Sequence, residues 1–174
     1  MITLCCTQKT QRRLRLTAVV TNPSPSSAAL GDWYLHLVNF GRTQVVLATS
    51  ERSLLTVLLP ARELRTTLES NLLSAVLRLL LALEIPVDAV NREIEAMQPM
   101  AYGKATNRRV LGSMNTFAFY VSVCQYHEQD ALPLAMRLAK TPMSAIGYKS
   151  HLGFPCDTAR DLLCAEMSGA STRN

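Results

Sequence analysis

A leucine-rich run in the middle of the chain restricts the possible folds more than any other feature. Over residues 62–84, leucine and alanine recur at the spacing of one helical face, and additional leucines widen that face. Pro60 and Pro86 flank the run and mark where a helix begins and ends, because proline interrupts regular backbone hydrogen bonding. A helix with so wide an apolar face must be central, with other elements packed around it.

Three segments before this helix have the composition of β-strands. Residues 33–40, 44–49 and 54–59 are rich in β-branched and apolar side chains, and the connections between them have hairpin length. They predict an antiparallel meander. Residues 2–6 predict one more short strand.

Helices dominate the rest of the chain. A second helix is predicted over 87–97, a short one after a cap at Asp130, and a last one over 158–167. Another helix runs to about Glu128 and begins either near Asn107, with Gly112 inside it, or after an N-cap at Ser113. The tail 168–174 is expected to be frayed. The prediction is a single α+β domain over residues 1–174, in which a small antiparallel meander packs against the long apolar helix and several shorter ones.

Cysteine and histidine spacing excludes several classes of protein. The five cysteines are odd in number, no Cys-x-x-Cys occurs, and the three histidines are scattered, so neither a disulfide framework nor a zinc site is indicated. The first residues lack the apolar core of a signal peptide. The longest apolar run is interrupted by Arg78 and is shorter than the ~20 residues that span a bilayer. We therefore expect a cytoplasmic protein without membrane contact, metal or cofactor.

The segment 102–117 is the strongest candidate for a site. It places cations, amides and two glycines at the start of an apolar helix, where backbone N–H groups and the helix dipole favour an anion. The alternative is a solvated basic loop in which an Asn caps the helix and a Gly serves a turn or packing. The predicted anion- or partner-binding residues are Lys104, Asn107, Arg108, Gly112, Ser113 and Asn115.

Two further groups of residues are secondary candidates. Asp32, Trp33 and His36 begin the predicted meander, where Trp33 fits either the core or a pocket wall and the other two could serve as polar groups of a site. Arg12 and Arg13 belong to a basic N-terminal stretch of a chain with net charge +5, which is compatible with binding to nucleic acid but equally with a solvated face.

Several short motifs along the chain resemble those of an uncharacterised bacterial family, a domain of unknown function. The motifs are LGDWY at 30–34, SERSL at 50–54, YGK at 102–104, NR at 107–108, VLGSMN at 110–115 and LAKTP at 138–142. Members of that family often carry an acid after the last Asn and a small polar residue after the first Asn-Arg. Here Thr116 and Arg109 occupy those positions. The resemblance implies a family and no mechanism.

These patterns predict a non-catalytic binding or regulatory protein. The partner would be an anionic ligand, a nucleic acid or an acidic protein, and a role in a mobile element, a toxin–antitoxin pair or defence is an extension of that idea. One alternative is a nuclease-like enzyme of phosphodiester or nucleotide chemistry, with Lys104 and Arg108 stabilising charge and Asp32 or His36 as the base. The other is an oligomeric scaffold, for which a homodimer is one option. The sequence identifies no catalytic residue.

Overall fold

A five-stranded mixed β-sheet lies at the centre of the protein. The structure, a computed structural model, describes residues 1–20, 24–40, 43–62, 64–123, 131–147 and 152–170. The strands follow the order β4-β3-β2-β1-β5 across the sheet. Their bounds are β1 Ile2–Cys6, β2 Trp33–Phe40, β3 Thr43–Ser50, β4 Thr56–Pro60 and β5 Met100–Lys104.

Sheet topology confirms the predicted meander and enlarges it. Strands β2, β3 and β4 pair antiparallel in sequence order. Strand β1 lies between β2 and β5 and runs parallel to both. Strand β4, the last strand of the meander, begins at Thr56 and not at the expected residue 54. Leu54 has a φ of 59° and belongs to the preceding turn.

The described part of the chain forms six α-helices, and one of them is the predicted long central helix. Their bounds are α1 Gln8–Leu14, α2 Leu64–Ala82, α3 Val87–Ala96, α4 Arg108–Val123, α5 Leu132–Ala139 and α6 Pro155–Ala170, with a short 3-10 helix at Ser144–Ile146. None of the helices in the described part of the chain combines the length and the apolar composition required to traverse a bilayer.

The last helix is longer than expected at both ends. It begins at Pro155, a residue suited to the first helical position, and continues to Ala170, so residues 168–170 are helical and not frayed. Residues 171–174, the proposed cap at Asp130 and the extension of α4 beyond residue 123 lie outside the described residues. The architecture is α+β.

Alternation along the strands divides the sheet into two faces. Leu4, Trp33 and Tyr102 share one rung, and the Tyr102 hydroxyl donates a hydrogen bond to Oε1 of Glu69 on α2 at 3.0 Å. Helix α2 therefore lies on the Trp33 face. Trp33 is fully buried in the core, and its indole Nε1 has no hydrogen-bond partner among the described residues. Cys5 lies on the other face, which faces the candidate site.

Candidate functional site

A cavity of about 440 Å³ opens where β1, β2 and β5 lie side by side. We call it the Asp32–Lys104 cavity. Its walls combine two carboxylates, a lysine, a thiol and hydroxyl groups with two valines that precede β2 in the chain. The lining residues are Thr3, Cys5, Val19, Val20, Asp32, Tyr34, Glu51, Gly103, Lys104 and Thr106.

Strand register forms the floor of the cavity. Cys5 of β1 is level with Tyr34 of β2 on one side and with Gly103 of β5 on the other. Glycine is required at this rung, because a Cβ on Gly103 would lie 2.7 Å from the Cγ2 of the buried Thr3. The backbone N–H of Val20 donates to the Tyr102 carbonyl at 2.7 Å, which holds the valine wall against β5.

Asp32 is fixed in the cavity wall by two hydrogen bonds. Its Oδ1 accepts from the backbone N–H of Thr3 at 2.8 Å, and its carbonyl accepts from the backbone N–H of Glu51 at 2.8 Å. Burial raises the pKa of the Asp32 carboxyl above its ordinary value, and the neighbouring Glu51 raises it further, whereas the Thr3 hydrogen bond and the charge of Arg52 lower it. The carboxyl is thus easier to protonate than an exposed aspartate.

Glu51 lies in the turn between β3 and β4 and connects the cavity to the start of α4. Its Oε1 accepts a hydrogen bond from Nδ2 of Asn107 at 3.1 Å, and its carbonyl accepts one from the Arg109 guanidinium. Arg109 also donates to the carbonyl of Ala145 at 3.3 Å. This arginine therefore holds three segments together and is not free for a ligand.

Cys5 and Tyr34 contribute neutral polar groups to the floor. Burial raises the pKa of the Cys5 thiol to about 12, and the charge of Asp32 acts in the same direction. Burial likewise raises the pKa of the Tyr34 hydroxyl, with Cys5 and Glu51 adding to the effect. The raised pKa values favour the neutral, hydrogen-bonding forms of both groups.

The structure brings only part of the predicted binding set to this cavity. Lys104 lines it and is exposed, and Asn107 reaches its edge through Glu51. Arg108 is exposed at the first position of α4, and Asn115 is exposed on the outward side of that helix.

The expectation of bare amides around Gly112 and Ser113 is wrong. Helix α4 begins at Arg108, so both residues lie in its second turn, where backbone N–H groups bond carbonyls one turn earlier. The Ser113 hydroxyl is buried and donates to the Arg109 carbonyl at 3.0 Å. At the true start of the helix, Oδ1 of Asn107 accepts from the backbone N–H of Arg109 at 3.1 Å, as a helix cap does.

The secondary candidates separate in the structure. Asp32 joins the cavity, whereas Trp33 is in the core and His36 lies away from the cavity lining, with Nδ1 3.4 Å from Oγ1 of Thr7. Burial lowers the pKa of the His36 imidazole, and Lys9 lowers it further. Arg12 and Arg13 of the basic stretch are exposed on α1, and Arg13 donates to the Ala61 carbonyl at 3.4 Å.

Sequence reasoning missed Glu51, Tyr34 and Cys5 as members of the site. Glu51 has the sequence context of a solvated hairpin tip, and its contact with Asn107 spans 56 positions, which no local pattern reveals. The signal that could have found it is the pair of motifs at 30–34 and 50–54, which meet in space through the backbone bond between Glu51 and Asp32.

The described part of the chain contains no group of three His, Cys, Asp or Glu side chains that could hold a metal ion. A family model described as "Domain of unknown function (DUF6933)" matches residues 3–157, which include every residue that lines the cavity. No curated protein and no solved structure matches the chain.

Proposed function

We propose that this chain, which belongs to the DUF6933 family of domains of unknown function, binds a small polar ligand in the Asp32–Lys104 cavity. One observation carries the proposal: Asp32, Glu51 and Lys104 line a single concave space together with neutral hydrogen-bonding groups. Its volume of about 440 Å³ is in the range of small-molecule sites.

Charge distribution defines the class of ligand. The two carboxylates accept hydrogen bonds from an ammonium or another donor-rich group. Lys104, an exposed residue of the lining at the end of β5, is the cation available to an anionic group of the ligand. A small zwitterion of amino-acid type satisfies both. A nucleic-acid backbone does not, because its phosphates would meet Asp32 and Glu51 and be repelled.

A second candidate function follows from the position of Asp32. An enzyme of the kind considered from sequence needs a general base in the same cleft as Lys104, and Asp32 lines that cleft with a raised pKa. In this version Asp32 exchanges a proton with the substrate and Lys104 stabilises developing negative charge. An enzyme should turn over a substrate, and Asp32→Asn should abolish turnover while the variant still binds that substrate. This result would distinguish an enzyme from a protein that only binds its ligand.

Thermal-shift and calorimetric titrations test the binding proposal. The probes are L-lysine, L-glutamate, spermidine and inorganic phosphate, which separate zwitterions from a pure cation and a pure anion. We expect an amino acid to raise the midpoint of unfolding and spermidine or phosphate to do so less, since binding to the native state stabilises it. Asp32→Asn and Lys104→Ala should each abolish the shift.

Matched control variants are available on α3. Asp88 and Arg92 are exposed there, and neither lines the cavity. Asp88→Asn and Arg92→Ala should therefore leave the ligand-induced shift unchanged. An equal shift in the wild type and in Asp32→Asn, or stabilisation by phosphate alone, contradicts the proposal.

The setting we propose for this function is the cytoplasm. Support comes from the cysteines, since the four that lie in the described residues, Cys5, Cys6, Cys156 and Cys164, are all unpaired thiols.

A further inference from the structure

The outward side of α4 carries an unusual exposed stripe. Gly112, Thr116, Phe119 and Val123 follow one another at intervals of four, three and four residues, which places them on one face of the helix. Phe119 is 66% exposed and Val123 68%, whereas the opposite side of the helix is buried in the core. We call these four residues the outer stripe of α4.

Gly112 is not explained by the fold of the chain itself. A glycine inside a helix is less favourable than alanine, because its backbone loses more conformational freedom. A Cβ built on Gly112 would have no atom of the described residues within 4 Å, so no close approach among them requires glycine there. The missing side chain leaves a recess in the stripe, one turn before Thr116 and two turns before the exposed Phe119. Such a recess can receive a large side chain from a second helix, as in knobs-into-holes packing.

We infer that the outer stripe of α4 pairs with the same stripe of a second copy of this chain, with the two helices antiparallel. A twofold axis can pass between the two helices at the level of the midpoint between Asn115 and Thr116. It places Gly112 opposite the partner's Phe119, and it places Phe119 opposite the partner's Gly112. One helix thus carries both the recess and the aromatic side chain that fills it, seven residues apart. This self-complementarity identifies a second copy as the occupant.

Charge favours the antiparallel arrangement over the parallel one. The same axis places Arg108 opposite the partner's Val123, so the two Arg108 side chains lie at opposite ends of the contact, ~22 Å apart along the helix axis. Parallel packing would bring these like charges together. Because the contact is confined to one stripe of one helix, we expect a reversible dimer whose population depends on protein concentration.

Sedimentation velocity over a wide range of protein concentration tests the inference. The mass should rise from that of a 19.2 kDa monomer toward twice that value as concentration increases. Gly112→Phe fills the recess and Phe119→Gly removes the knob, so each should weaken dimerisation by about tenfold or more. The double variant carries both changes and recreates a knob opposite a recess. It should recover most of the lost affinity, which is the signature of a direct pair.

Two further variants guard against effects on folding. Phe119→Gln keeps a good helix former at the position and should weaken dimerisation as Phe119→Gly does. Val87→Gln alters an apolar side chain that is 59% exposed on α3 and should leave the dimer unchanged. A protein that stays monomeric at every concentration, a dimer insensitive to Phe119→Gln, or a double variant as weak as the single ones overturns the inference. None of these outcomes depends on the ligand-binding proposal.

Discussion

Nδ2 of Asn107 lies 3.1 Å from Oε1 of Glu51, and this hydrogen bond joins the start of α4 to the turn between β3 and β4. The same asparagine caps α4 through its Oδ1, so one side chain both begins a helix and orients a carboxylate of the cavity. The Arg109 guanidinium reinforces the junction by donating to the Glu51 carbonyl. Cavity geometry and helix stability are therefore coupled at this position.

Asn107→Ala should destabilise the protein by about 1–2 kcal/mol, because it removes a helix cap and the partner of Glu51 together. Urea denaturation measures the change in the free energy of unfolding. Asn91→Ala is the matched control, since Asn91 is exposed on α3 and its loss should have little effect. Equal losses in the two variants would show that the Asn107 contacts contribute nothing to stability.

The meander and α2 could be predicted from the sequence because the patterns that indicate them are local. Strand composition, hairpin-length connections and helical periodicity each act over a few residues, and all three indicate elements close to those observed. Leu54 shows the limit of this approach, since its left-handed backbone shifts the start of β4 by two positions from the predicted residue.

Strand β5 and most of the site could not be predicted from the sequence, because they depend on contacts between residues that are far apart in the chain. Met100–Lys104 contains a glycine and a lysine and has weak intrinsic strand preference, yet every residue of it pairs with β1 almost a hundred positions earlier. Tertiary pairing therefore overrides local preference. The cavity depends on that pairing, because Gly103 and Lys104 line the same space as Asp32 only when β5 joins the sheet.

Asp32 should make stability depend on pH in a predictable direction. Its pKa in the folded protein is raised above the ordinary value of 3.8. The stabilising contribution of this group is thus fully present below pH 3.8 and is lost as pH rises through the folded pKa. Asp32→Asn removes the ionisable group, so the variant does not lose this stability as pH rises, and its amide oxygen can still accept the hydrogen bond from Thr3. The free energy of unfolding of the variant should therefore increase relative to that of the wild type between acidic and neutral pH.

Urea denaturation of both proteins at several pH values measures this difference. The exposed Asn91 on α3 serves as the control, because Asn91→Ala removes no ionisable group and should give a difference from the wild type that changes little over the same range. A difference for Asp32→Asn that runs the other way, with the wild type gaining on the variant as pH rises, would contradict the assigned environment of Asp32.

Gly103→Ala should destabilise the protein by roughly 1–3 kcal/mol through overpacking. The added Cβ would lie 2.7 Å from Cγ2 of Thr3, whose side chain is buried and cannot easily move. Thr3→Ser removes that methyl group and keeps the hydroxyl, so it should recover part of the loss when combined with Gly103→Ala. Chemical denaturation of the two single variants and the double variant gives the coupling free energy. Simple additivity of the two changes would mean that the clash is relieved elsewhere.

Gly112→Ala should have the opposite sign to Gly103→Ala, although both exchange glycine for alanine. Gly112 lies inside α4, and no atom in the described part of the chain comes within 4 Å of the added Cβ, so the higher helix propensity of alanine decides the sign. At protein concentrations low enough to keep the chain monomeric, the free energy of unfolding should rise by up to ~1 kcal/mol. Urea denaturation by circular dichroism measures the gain. A loss of stability at low concentration would show that Gly112 has a role within the monomer, and the recess would then no longer point to a second copy.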